Sequence, residues 1–222
     1  GSALSTWWDN GTAGANYTAC QTLIQTVVNW AAARASPPEF DGSSVIAGIV
    51  RWQGEADPST DPTTYRDNLI AMQAAAQADA QAMTGQTLGV PIFNEVPTTW
   101  AVNGATSLAE NWGGVAGQLE ACKTSADVVC IGTNQAFSGE TTSPWLHKDA
   151  PGHLGSGARM GYALSRHVFG SGWREFFLSS ASARGTELTA CWDVPVGPLA
   201  IRNGTSSVDF EQGSFTYGCA AH

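Results

Sequence analysis

Apolar positions fall into a regular succession of patterns. Tyr17, Cys20, Leu23, Ile24, Val27, Val28 and Ala31 recur at helical spacing, which predicts a helix over 16–36. Asn16 is its candidate cap, and Pro37-Pro38 ends it. SVIAGIVRW (44–52) is a short, nearly continuous apolar run, as expected of a strand covered on both faces. A polar loop follows, and then a helix over 62–83. Asp61 caps that helix, Pro62 opens it, and Leu69, Ile70, Met72, Ala76 and Met83 form its inner face before Gly85 stops it. LGVPIFNEV (88–96) and ADVVCIG (126–132) read as two more strands. Helices are expected near 106–122 and from about 154 to 169.

Helices and strands alternate, so the expected class is α/β with a parallel sheet. A sheet of this kind opens on a strand. Here a loop-like stretch, 1–15, and a helix come first, so the chain is expected to begin after the sheet's first strand. Beyond Phe169-Gly170 the texture changes to short β-like pieces: EFFLSS, ELTACWDV, LAIRNG, SVDFEQ and SFTYGC. The expected organisation is an α/β domain over 1–172 and a small β-rich appendage over 173–222.

Composition narrows the function classes. Of 222 residues, 43% are hydrophobic and only 13% charged, a profile that folds rather than staying disordered. Asp and Glu number 19 against 10 Lys and Arg, and the net charge of −9 argues against tracking nucleic-acid phosphates. No apolar run reaches the ~18 residues of a membrane span, and no basic segment followed by an apolar stretch opens the chain as a signal peptide would.

The five cysteines leave the redox state open. Cys191 with Cys219, and Cys122 with Cys130, are candidate pairs; five reduced thiols fit the sequence as well. The sequons at Asn10, Asn16 and Asn203 point weakly to an extracellular or virion-surface setting. No Cys/His cluster has zinc-like spacing and no phosphate-binding glycine loop is present, so no metal or cofactor is expected.

Candidate chemistry lies in two stretches. Arg51-Trp52-Gln53-Gly54-Glu55-Ala56-Asp57 directly follows a buried strand, at the end of a parallel sheet where ligands bind. A Gln53 amide there is suited to donate to an oxyanion, and Glu55 to accept from an imidazole. A plain β-to-α connection, with Asp57 and Asp61 starting the next helix, reads the same residues without chemistry. The second stretch holds His153 on a Gly/Pro-rich loop just before the last helix, with Asp149 nearby in sequence. An imidazole so placed suits a general base; a surface histidine is the alternative. His147 is a substitute for it.

Together these stretches resemble the SGNH hydrolases, in the sialate O-acetylesterase and acetylxylan-esterase branch. Trp52-Gln53-Gly54-Glu55-Ala56-Asp57 resembles that family's Gln-Gly-Glu block. The run from His153 through Gly155, Gly157 and Gly161 resembles its last block, a catalytic histidine followed by a glycine-studded helix. The resemblance covers about residues 1–170. It implies a flavodoxin-like three-layer α/β/α sandwich that removes acetyl groups from carbohydrate, with His153 as base, Glu55 as its support and Gln53 as oxyanion donor.

Two departures stand out. Where the family carries an acid before its histidine this chain has Ala150, with Asp149 one position further upstream. The family's Gly-x-Ser nucleophile block is not found. Gly1-Ser2-Ala3-Leu4, followed by Trp7 and Tyr17, resembles the family's later glycine block, which makes Gly1 the oxyanion glycine and places the serine on an upstream polypeptide segment. Gly11-Thr12 is a second candidate for that block.

The expected partner is therefore an acetylated carbohydrate, with Trp8, Trp52 and Trp145 as candidate stacking surfaces. For any single one of these rings, core or surface packing is the more common explanation. A sheet lacking its first strand is also expected to associate, as a homo-oligomer or with the upstream segment. The competing function is a non-catalytic carbohydrate-binding or structural module, on a virion or cell surface, built on the same scaffold.

Overall fold

A computed structural model describes residues 3–35, 42–54, 57, 59–97, 113–133, 149–170, 177–184 and 187–193. The chain divides into two compact units, Gly1–Trp173 and Arg174–His222.

The first unit opens with a miniature hairpin. Strand β1 (Trp8–Asp9) pairs antiparallel with β2 (Thr12–Ala13). Asn10 and Gly11, at the turn, both have positive φ (46° and 80°). That is the backbone of a two-residue type I′ turn, the conformation that Asn-Gly pairs favour. The stretch expected to be loop is thus folded by its own Asn-Gly signal.

Helix α1 (Ala15–Ala32) starts on Gly14, and no side chain caps it. Its inner face is narrower than its periodicity predicts: Tyr17 and Ala31 are buried, whereas Leu23 and Val27 are 68% and 62% exposed. Tyr17 ties the helix down by donating to Asp79 at 2.6 Å.

Strand β3 (Ile49–Trp52) is shorter than the apolar run that predicts it. Gln86 explains the shortening. Its side-chain amide accepts from Ile46 N at 2.8 Å and donates to Ile46 O at 2.9 Å. One amide thereby supplies both hydrogen bonds that a neighbouring strand would give. Helix α2 (Pro62–Thr84) forms as predicted. Asp61 accepts from Thr64 N at 2.8 Å, and Gly85 closes the helix at φ 70°. Tyr65, Leu69, Met72, Ala76 and Ala80 form its buried stripe.

Strand β4 (Ile92–Val96) is wholly buried. It too begins late, because Val90 is held by side chains of α2: Gln77 accepts from Val90 N, and Gln73 donates to Val90 O. Helix α3 (Gly113–Thr124) and strand β5 (Val128–Thr133) follow, and then helix α4 (Ala150–Val168). The strands are parallel in the order β3-β4-β5.

Both faces of this sheet are covered. Ile92 and Val128 join Tyr65, Leu69 and Ala121 of α2 and α3 in one cluster. Phe93 and Ile131 join Met160 and Ala163 of α4 in another. The alternation of side chains along each strand sends neighbours to opposite clusters. Cys20, Cys122 and Cys130 carry thiols, so the Cys122–Cys130 disulfide, one of the sequence's two candidates, is not formed.

In the second unit, β6 (Phe177–Arg184) pairs antiparallel with β7 (Glu187–Asp193), matching two of the predicted pieces. The remaining predicted pieces, and Cys219, lie outside the described residues. Among the described residues no helix is long and apolar enough to cross a membrane.

Candidate functional site

The strands all end at one edge of the sheet, and polar side chains collect there on each face. Register pairs Arg51 with Asn94 and Trp52 with Glu95. Paired residues leave the sheet on the same side, so each pair marks one face.

On the α2/α3 face lies a buried polar network around Arg51. Its guanidinium donates to Asn94 Oδ1 at 2.7 Å and to Gln118 Oε1 at 3.4 Å, and also to Gln53 Oε1 and the Tyr65 hydroxyl. Tyr65 donates in turn to Gln53 Oε1 at 3.0 Å. Gln53 Nε2 donates to Asp57 Oδ2 at 2.7 Å, and the same oxygen accepts from Leu4 N at 2.8 Å. Arg51, Gln53, Asp57, Asn94 and Gln118 are all buried. The network joins the N-terminal segment to the ends of β3 and β4 and to both helices.

Gly54 follows in a conformation that side chains avoid, φ 137°. A Cβ on it would overlap Gln118 Nε2 and approach Pro97 Cγ to 3.0 Å. Asp57 N then donates to Gly54 O at 3.1 Å, which folds the loop back on itself.

On the opposite face, His153 lies against Trp52, with ring centroids 4.8 Å apart and planes inclined by 59°. His153 is exposed and Trp52 is half buried. The histidine is helical, in the first turn of α4, whereas the sequence places it in a loop. The reason is the cap: Asp149 Oδ1 accepts from Gly152 N at 2.7 Å, and Pro151 stands at a position that tolerates a missing N–H. The backbone of His153 donates to Asp149 O at 2.9 Å. Asp149 thus starts the helix that carries the histidine.

Beneath that helix lies a group the sequence reading did not single out. Glu95, on β4, is fully buried and accepts from Ser156 Oγ at 2.6 Å. Arg159 Nη1 stands 4.0 Å from its other oxygen. The available signal was an acid inside an apolar run, IFNEV.

The sequence-derived candidates therefore separate. Trp52 and His153 come together at the strand ends. Gln53 shares that edge of the sheet but turns its side chain to the other face. Trp8 is a core residue, 8% exposed, packed edge-on against Tyr17 at 5.2 Å, so its ring is taken up by protein. Gly1, Glu55, Trp145 and His147 lie outside the described residues. No three His, Cys, Asp or Glu side chains gather as a metal ion would require, among the described residues.

Comparison with known protein families, with curated proteins and with solved structures returned no match.

Proposed function

We propose that this chain belongs to a serine-type carbohydrate O-acetylesterase. In this reading the parallel sheet is the centre of a flavodoxin-like three-layer α/β/α sandwich, followed by a small C-terminal β appendage, and the protein works outside the cell or on a virion surface. One observation carries it. His153 is exposed, in the first turn of α4, against Trp52 at the carboxyl ends of parallel strands. Ligands bind at such strand ends, and an accessible imidazole there is placed to move protons.

The reaction is acyl transfer in two steps. A serine Oγ attacks the acetyl carbonyl while His153 takes its proton. That proton then passes to the departing sugar oxygen, leaving an acetyl-serine. Water attacks the acetyl-serine with His153 again as base, releasing acetate and regenerating the serine. The serine comes from polypeptide outside these residues, with Gly1 beside it as an oxyanion donor. Glu55 and Asp149 are the carboxylates assigned to support His153. Trp52 supports the ring and, with Trp145, borders the sugar.

The test is acetate release from acetylated oligosaccharides by the complete protein. His153→Ala should abolish it while the melting temperature stays within a few degrees. Undiminished release by His153→Ala would sink the proposal. A second reading, a carbohydrate-binding or structural module without turnover, is favoured by the commitment of Gln53 to Arg51, Tyr65 and Asp57. Sugar binding with no acetate release from any acetylated substrate would select it.

A further inference from the structure

We propose that Glu95 is the positioning residue of this site: its buried carboxylate sets the rotation of α4 through Ser156, and so holds His153 over Trp52. The proposal rests on the esterase reading for its catalytic meaning, though not for its geometry.

Glu95 and Trp52 are register partners on adjacent parallel strands, so both side chains leave the sheet toward α4. The inner stripe of α4 is Gly152, Ser156, Met160 and Ala163. Met160 and Ala163 are held by apolar packing on Phe93 and Ile131. Such packing is not directional and tolerates small rotations of a helix about its axis. The end of the helix that carries His153 has a directional contact instead, the 2.6 Å hydrogen bond from Ser156 to Glu95. Ser156 is 1% exposed and Glu95 is 0% exposed, so no water competes for either partner.

His153 and Ser156 are three residues apart on a helix, and such pairs lie on neighbouring lines of its surface. Fixing Ser156 therefore fixes where His153 emerges. Arg159, one turn further, stands 4.0 Å from the second carboxylate oxygen, close enough to add charge attraction but not a hydrogen bond, so the direction comes from Ser156.

Stability alone is a poor account of this carboxylate. Burying one is unfavourable unless charge and hydrogen bonds compensate. An apolar side chain at position 95 would carry no such desolvation cost. What the carboxylate adds is direction. A displacement of about 1 Å at a catalytic group is enough to lower turnover on the order of 100-fold.

The experiment follows the His153 imidazole by NMR in the complete protein, alongside acetate release. The Trp52 ring should displace the His153 Cε1–H resonance by its ring current, and Trp52→Leu identifies that displacement by removing it. Glu95→Ala and Ser156→Ala should both move the resonance toward its unstacked position. They should also lower kcat on the order of 100-fold with KM little changed. Glu95→Gln keeps an acceptor for Ser156 and should restore most of the ring-current displacement. A folded Glu95→Ala or Ser156→Ala protein with the native His153 resonance would overturn the proposal. If Glu95→Ala does not fold, Ser156→Ala decides. A resonance that moves as expected, in a protein whose wild type releases no acetate, would instead reject the esterase reading and leave the positioning role standing.

Discussion

The imidazole of His153 rests on the indole of Trp52 with their centroids 4.8 Å apart. Their contact joins the first turn of α4 to the last residue of β3. Trp52 is half buried and packs against the cluster of Phe93, Ile131 and Met160. Trp52→Ala should therefore lower stability by about 2–3 kcal/mol and free the imidazole. Chemical denaturation measures the first effect. The loss of the ring-current displacement of the His153 resonance measures the second and, under the proposed esterase function, so does a drop in acetate release larger than the loss of folded protein.

Gln53 bridges a buried cation and a buried carboxylate. In Gln53→Ala, Arg51, Tyr65 and Asp57 each lose a partner while staying out of water. Unpaired buried groups of this kind are expected to destabilise by roughly 2–4 kcal/mol in total. Urea denaturation is the direct check. A variant as stable as the parent, with turnover lowered on the order of 100-fold, would return Gln53 to an oxyanion role.

Gly54 should tolerate no substitution. Its φ of 137° and the Gln118 amide lying over its Cα act together. Gly54→Ala should reduce stability by about 2 kcal/mol or more. A crystal structure of the variant should show Gln118 displaced.

Acid and alkali should act through different groups. Thr64, by its backbone N–H first and then its hydroxyl, holds the Asp61 carboxyl below the usual carboxylate range. Its stabilising effect is present above the unfolded value near 4 and is lost as pH falls through the lower folded value. The melting-temperature gap between parent and Asp61→Ala should accordingly narrow below about pH 4. Burial, and next the Asp79 carboxylate that its hydroxyl contacts, hold the Tyr17 phenol well above its usual range. That contribution is complete below about pH 10 and fades above it. Tyr17→Phe should therefore flatten the alkaline limb of the stability curve.

How much of this was legible depended on which group satisfies the backbone. Helix α2 carries its whole grammar in sequence, Asp61 and Pro62 at the start and Gly85 at the end, and it forms where predicted. Asp149-Ala150-Pro151 spells nearly the same start, but Pro151-Gly152 reads more readily as loop, and so His153 was expected outside the helix. Strands β3 and β4 came out short because Gln86, Gln77 and Gln73 bind Ile46 and Val90. Hydrophobic patterning records burial and is silent on side chains that replace a strand neighbour. The same silence hides Glu95 and Asn94, polar groups in a strand buried on both faces.

Arg51 carries the deepest consequence. Its positive charge is enclosed largely by neutral amide and hydroxyl oxygens from three neighbouring elements and from Gln53, the residue that follows its own strand. No single replacement at 51, 53, 94 or 118 leaves the rest content, because each removes an oxygen or the cation that the others are arranged around. These positions should behave as one coupled unit, in which a change at any one is costly unless others change with it.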